Sequence, residues 1–117
     1  MIGSVVVIRF PFVNDEGFKK RPVLVYGTGF PDETFIGLQI TSNTKPKIDS
    51  RGFDCAVPLH SPSDFQVHQL ALNQESVIRV DMVFTLVKSQ IVKYLSPVTD
   101  AKFLEVQERF KLWYEMP

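Results

Sequence analysis

The chain is poor in the residues that carry most metal and redox chemistry. It has a single cysteine, Cys55, and two histidines, His60 and His68. A lone cysteine closes no internal disulfide, and no Cys/His cluster has metal-ligand spacing. A reducing compartment, the cytoplasm, fits best, and no metal or other cofactor is expected. Cys55 reads as a small buried apolar residue. The two histidines fall in the least regular stretch and read as solvent-facing or hydrogen-bonded structural residues. Long apolar runs are also missing: none approaches the roughly 20 residues of a membrane span. The opening "MIGSVVVIRFPF" has no basic leader and is interrupted by Arg9 and Pro11, which argues against a signal peptide. Net charge is absent too. Lys and Arg number 13, Asp and Glu 13, so the formal sum is zero, which excludes a generic polyanion binder. No G-x-S-x-G, P-loop, Rossmann or H-E-x-x-H pattern occurs, nor any internal repeat.

What remains is an ordinary globular balance: 117 residues, 44% hydrophobic and 22% charged. That fits one domain over residues 1–117 with a core of its own. The cations are unevenly spread. Lys19, Lys20 and Arg21 fall in one predicted loop, and Lys45, Lys47 and Arg51 in another.

The hydrophobic pattern predicts several short strands and one helix. Ser4–Phe10 is the first strand, stopped by Pro11 and "NDEG". Pro22–Tyr26 is the second, with the proline at its head, where a missing N–H costs least. Thr34–Thr41 alternates: Ile36, Leu38 and Ile40 on one face, Gly37, Gln39 and Thr41 on the other. After the polar loop 42–53, a short strand is expected around Asp54–Pro58. Residues 64–72 read equally as helix or strand. In 75–86, Ile78, Val80, Met82 and Phe84 should share one face, and Val77, Arg79, Asp81 and Val83 the other. A last strand covers 91–95. Thr99 then caps a helix with Asp100 in its first turn. Phe103, Val106, Phe110 and Trp113 form its apolar stripe, with Glu105 and Arg109 on the polar side. The fold class is mainly β: a small, curved antiparallel sheet or barrel with a C-terminal helix.

Three features carry potential chemistry. Arg79 and Asp81 stand two apart on one strand face. The spacing by itself favours a surface ion pair, worth at most about 1 kcal/mol; the alternative is a carboxylate base beside an anion-holding guanidinium. Arg21 precedes Pro22, which biases it to an extended backbone; it reads as a solvated loop arginine or as a phosphate ligand. Thr41 reads as a turn residue or as a hydroxyl donor to phosphate. Phe10, Phe12 and Phe18 bracket the first loop, as core anchors or as base-stacking rings.

Taken together, "GSVVVIRFPF…KKRPVLV", "LQITSN" and "ESVIRVDMVFTLVKSQIVKYLS" resemble the PemK/MazF-like toxins of type II toxin–antitoxin systems. Order, spacing and closing helix match over nearly the whole chain. Ser4 stands where an acidic residue is usual. The resemblance implies an SH3-like antiparallel barrel with a C-terminal helix, a cytoplasmic homodimer, and sequence-specific, metal-independent endoribonuclease activity on single-stranded RNA. It also implies a small antitoxin that neutralises the toxin, with DNA binding by the complex. Carried over, Arg21 matches the arginine of the R-P pair, Thr41 the threonine closing the third strand, and Arg79 and Asp81 the R-x-D pair. These four would be catalytic, with Lys19, Lys20, Ser42, Asn43, Lys45 and Lys47 contacting RNA. Cleavage of this kind needs a base for the 2′-OH and cations for the phosphorane charge. Asp81 would be the base, Arg79 would keep it ionised, and Arg21 and Thr41 would hold the non-bridging oxygens. Arginine is too weak an acid to be cast as the leaving-group proton donor. The rival class is a non-catalytic module of the same barrel type, gripping a protein as gyrase poisons do, or RNA without cutting it. A hydrolase built on His60 or His68 has no supporting constellation.

Overall fold

The computed structural model describes residues 1–11 and 18–115. The "NDEG" stop and Phe12 lie outside the described residues. The strands are β1 (Ser4–Pro11), β2 (Phe18–Thr28), β3 (Thr34–Thr41), β4 (Ala56–Leu59), β5 (Ser76–Val87) and β6 (Ile91–Pro97), followed by helix α1 (Asp100–Glu115). They form one six-stranded sheet in the order β4-β5-β3-β2-β1-β6. Every neighbouring pair is antiparallel. The predicted sheet with its closing helix is therefore present. It is barrel-like rather than closed, since β4 and β6 remain its two edges.

The cationic stretch departs from expectation. Lys19, Lys20 and Arg21 are not in a loop; β2 begins at Phe18 and carries them in its ladder with β1, opposite Phe10, Arg9 and Ile8. On its other side, the ladder to β3 ends at Val23 opposite Gln39. From Pro22 back, β2 is thus hydrogen-bonded on one flank only. A proline is tolerated there because its missing N–H breaks no ladder on the open flank. Pro22 sits inside the strand and stiffens it. The next turn holds its shape through Gly29, where a Cβ would run into the Thr34 hydroxyl and backbone.

Both sheet faces carry apolar residues. On one, Val5, Leu24, Leu38, Ile40, Val57, Ile78 and Val80 pack with Val106 of α1, and Phe103, Phe110 and Trp113 cover them. On the other, Val6, Ile8, Val23, Val25, Phe35 and Leu86 form a smaller cluster. Fully burying each such side chain contributes about 1.5–3 kcal/mol. The helix begins as expected: the Lys102 N–H donates to Thr99 Oγ1 at 3.2 Å and the Phe103 N–H to Thr99 O at 2.9 Å. Its polar side differs. Arg109 does not pair with Glu105; its Nη1 donates to Asp54 O at 2.7 Å and Ala56 O at 3.2 Å. Glu105 is taken up by Lys102, and the backbone carbonyls of Asp54 and Ala56 receive the guanidinium instead. The strand expected at Asp54–Pro58 starts two residues later and ends one later, with Asp54 making an isolated bridge to Ile48.

The ambiguous stretch 64–72 is neither a full helix nor a strand. Phe65 makes a single bridge to Val98, and His68–Leu70 form one 3-10 turn. Side chains hold this region down. His60 Nδ1 lies 2.9 Å from Glu75 Oε1, consistent with a structural histidine. Lys102, only 6% exposed, donates to Pro58 O at 2.7 Å and Glu105 Oε1 at 2.8 Å, and lies 3.4 Å from Asp64 Oδ2. Replacing Lys102 by Met keeps its stem but leaves those acceptors unpaired. We expect Lys102→Met to lower the unfolding free energy by about 1–3 kcal/mol in urea titrations; an unchanged midpoint would show that water replaces the ammonium without loss.

Candidate active site

The alternation of β3 and β5 decides which side chains meet. In the ladder, Gln39 faces Arg79 and Thr41 faces Val77, but Leu38 faces Val83. One step along β3 therefore corresponds to four along β5, and Val80, Asp81 and Met82 bulge out of the pairing. Side chains alternate strictly along a strand, so an odd number of extra residues exchanges the two faces. Before the bulge Val77 and Arg79 share the face of Thr41 and Gln39; after it Phe84 does, opposite Gly37. The straight alternation expected for 75–86, with Phe84 opposite Arg79, is thus wrong beyond Val80. Val80 is pinned from both sides. Its N–H donates to Cys55 O at 3.0 Å, and its carbonyl accepts from the Tyr114 hydroxyl at 2.7 Å.

Within the bulge, Arg79 and Asp81 make a two-pronged pair. Nε lies 3.0 Å from Oδ1, and Nη2 lies 2.6 Å from Oδ2. The side chains are 27% and 22% exposed, which leaves the pair within reach of a ligand. Burial works against the Asp81 charge, but hydrogen bonds from Arg79 and from the Cys55 thiol outweigh it and hold the carboxyl below its ordinary value. Hydrogen bonding to Asp81 in turn keeps Arg79 protonated. Cys55 is 2% exposed, and burial, with Asp81 beside it, pushes its thiol up to about 11. It is a neutral buried thiol, as its composition suggested, and it touches the site from below.

The register also collects Arg21. Val23 faces Gln39 from β2, and Arg21 stands two residues earlier on that face. Arg21, Gln39 and Arg79 therefore lie on one side of the sheet, on three neighbouring strands. Arg21, Gln39, Phe10, Met82 and Phe84 line a cavity of ≈ 250 Å³. Thr41 ends β3 on the same face, and its Oγ1 accepts from the Asn43 N–H at 3.2 Å. That is the local turn bond expected of a strand-ending threonine, and its hydroxyl hydrogen is not engaged by it.

The loop cations are placed less uniformly. Lys19 is exposed on the face of Arg21, while strand alternation turns Lys20 the other way. Ser42, Asn43 and Lys45 are exposed. Lys47 folds onto its own loop, its Nζ donating to Asn43 O at 2.7 Å and Lys45 O at 2.8 Å. Arg51 pairs with Asp49 at 2.6 Å and stacks 5.0 Å over Trp113. Sequence reading missed Gln39 and Tyr114. Gln39 was visible only as a polar residue on an alternating strand. Tyr114 lies far along the chain from Val80, and nothing local announces that contact. Among the described residues, no group of His, Cys, Asp or Glu side chains is arranged to hold a metal ion.

A family model described as PemK-like, MazF-like toxin of type II toxin-antitoxin system matches residues 2–114. No curated protein sequence matches the chain. Among solved structures, the Mycobacterium tuberculosis toxin MazF-mt6 superposes with a TM-score of 0.70 at 14% identity, covering 97% of this chain and 98% of that one. A mycobacterial endoribonuclease in complex with its cognate antitoxin gives a TM-score of 0.68 at 18% identity, covering 100% and 96%. The MazE–MazF complex of Deinococcus radiodurans gives 0.64 at 18% identity, covering 98% and 95%. At these identities the likeness establishes the fold.

The Asp81 carboxyl is lowered by folding, so its contribution to stability is complete above the unfolded value near ~3.9 and is lost as pH falls through the lower folded value. Asp81→Asn should therefore melt below the parent at pH 7, with the difference closing on acidification below about pH 4. A difference constant down to pH 2 in thermal melts would mean that the pair does not shift the carboxyl.

Proposed function

Because the chain belongs to the PemK-like, MazF-like toxins of type II toxin–antitoxin systems, we propose that it is an endoribonuclease that cuts single-stranded RNA by attack of the 2′-OH on the adjacent phosphate. The new 2′-oxygen–phosphorus bond replaces the phosphorus–5′-oxygen bond, and the departing 5′-oxygen takes a proton from water, so the products are a 2′,3′-cyclic phosphate and a 5′-OH. The observation that carries this reading is the two-pronged Arg79–Asp81 pair, partly exposed on the sheet face that also presents Arg21 and Thr41.

Asp81 is the base for the 2′-OH. In the free protein both of its oxygens are occupied by Arg79, which keeps it ionised but makes it a weak base. A phosphate entering between Arg79 and Arg21 competes for the guanidinium, because a phosphate oxygen and a carboxylate oxygen are equivalent acceptors for its fork. Once Arg79 turns to the phosphate, Asp81 loses the largest of the bonds that held its pKa down and keeps the one from Cys55, while its burial remains, so its basicity rises. Arg79 then stands where negative charge builds in the phosphorane. Arg21 and the Thr41 hydroxyl hold the non-bridging oxygens from the other side. Lys19, Ser42, Asn43 and Lys45 contact the RNA backbone, so binding weakens as salt rises; Lys20, turned to the other face, and Lys47, spent on its own loop, add charge nearby without direct contact. The reaction needs no metal, and DNA, lacking the 2′-OH, is not cut. The protein acts in the cytoplasm as a homodimer and is neutralised by a small antitoxin.

Asp81→Asn should lower kcat by roughly 10²–10⁴-fold, the usual worth of a positioned base, with circular dichroism unchanged. Arg79→Ala should do at least as much, and an RNA with deoxyribose at the cut position should survive. Wild-type rates in both variants would place the chemistry elsewhere.

A further inference from the structure

The cavity beside the phosphate-holding residues is not explained by the cleavage chemistry. It measures ≈ 250 Å³ and is lined by Phe10, Arg21, Gln39, Met82 and Phe84. Sites for drug-sized ligands usually hold ~300–1,000 Å³, so this one suits a single ring system. Its walls are aromatic and thioether: Phe10 and Phe84 meet edge to face with centroids 5.2 Å apart. At its edge stands one polar group in an unusual state. Gln39 Oε1 is buried and has no hydrogen-bond partner. A carbonyl oxygen left this way costs about 1–3 kcal/mol, a cost removed when the Gln39 amide turns into the cavity and meets a donor on a ligand.

Position identifies the ligand. Gln39 faces Arg79 across β3 and β5, and Arg21 forms part of the cavity wall itself. A molecule filling the cavity therefore has an apolar planar part against the phenylalanine pair, a hydrogen-bond donor at Gln39, and an anionic part beside two arginines. A nucleotide has all three. We infer that the cavity is a nucleobase pocket and that Gln39 reads the edge of the base next to the scissile phosphate. Phe10 and Phe84 supply stacking or edge contact, which tolerates any base. The Gln39 amide supplies discrimination, because only a base with a donor at the right edge satisfies its oxygen. The anionic half of this assignment rests on the proposed cleavage site; the base half rests on the cavity.

Binding separates the two. The probes are the four 2′-deoxynucleoside 3′,5′-bisphosphates and the abasic deoxyribose 3′,5′-bisphosphate, titrated by calorimetry into the wild type and Gln39→Leu. At least one base should bind roughly tenfold more tightly than the abasic probe to the wild type. Gln39→Leu should lose about that factor for the preferred base and stay within about twofold for the abasic probe. Leu removes an unpaired buried oxygen without a change of shape class, so the variant should melt no lower than the parent. Equal binding of base and abasic probes, equal weakening of every probe in the variant, or no measurable binding at all would overturn the pocket. A wild type that discriminates bases in this way but leaves RNA intact would keep the pocket and remove the cleavage reading.

Discussion

The site depends on how the backbone of β5 is held at Val80. The residue gives its N–H to Cys55 and its carbonyl to Tyr114, so both of its polar groups are spent outside the β3 ladder. That lets Val80, Asp81 and Met82 leave the sheet without an unpaired backbone group at the turning point, the usual objection to a bulge in a central strand. The bulge in turn does two things. It frees Asp81 to fold back on Arg79, and it exchanges the faces, so that Phe84 joins Arg79 and Gln39 instead of opposing them.

The helix is thereby part of the site as well as of the core. Its apolar stripe packs on the sheet through Val106, and its last turn delivers the Tyr114 hydroxyl to the bulge. Tyr114 packs at a tilt against Phe110 with ring centroids 4.6 Å apart, and Phe110 stacks on Tyr26 of β2 at 4.6 Å. A run of aromatic contacts thus links β2, α1 and the bulge, and Arg109 fastens the same helix to the start of β4, next to Cys55. Disturbing the helix end should be felt at the Arg79–Asp81 pair before it is felt in the β1–β2 hairpin.

Much of this was legible in the sequence. Strand β3 could be read to its ends because its alternation is uninterrupted, and the helix because cap and stripe agree. Arg79 and Asp81 were identifiable as a pair from their two-residue spacing, although it is the bulge that brings Asp81 back onto Arg79. What was not legible is non-local. Lys19–Arg21 looked like a loop because charge and proline suggest one, yet β1 offers a continuous ladder that outweighs local preference. The β5 bulge is not announced in "SVIRVDMVF", since Ile78 to Met82 alternate through the point where the backbone leaves the ladder and no glycine or proline marks it. Arg109 was assigned to the helix's polar side by its spacing from Glu105, whereas the carbonyls it binds come from residues far away in the chain.

The central claim is that Asp81 and its neighbours cut RNA through the 2′-OH. The most direct measurement is to incubate the purified protein with a long mixed-sequence RNA in EDTA and determine the chemistry of the new ends. The account predicts cleavage at a limited set of sites, leaving 2′,3′-cyclic phosphate and 5′-OH termini. Intact RNA, or fragments ending in 3′-OH and 5′-phosphate, would contradict it.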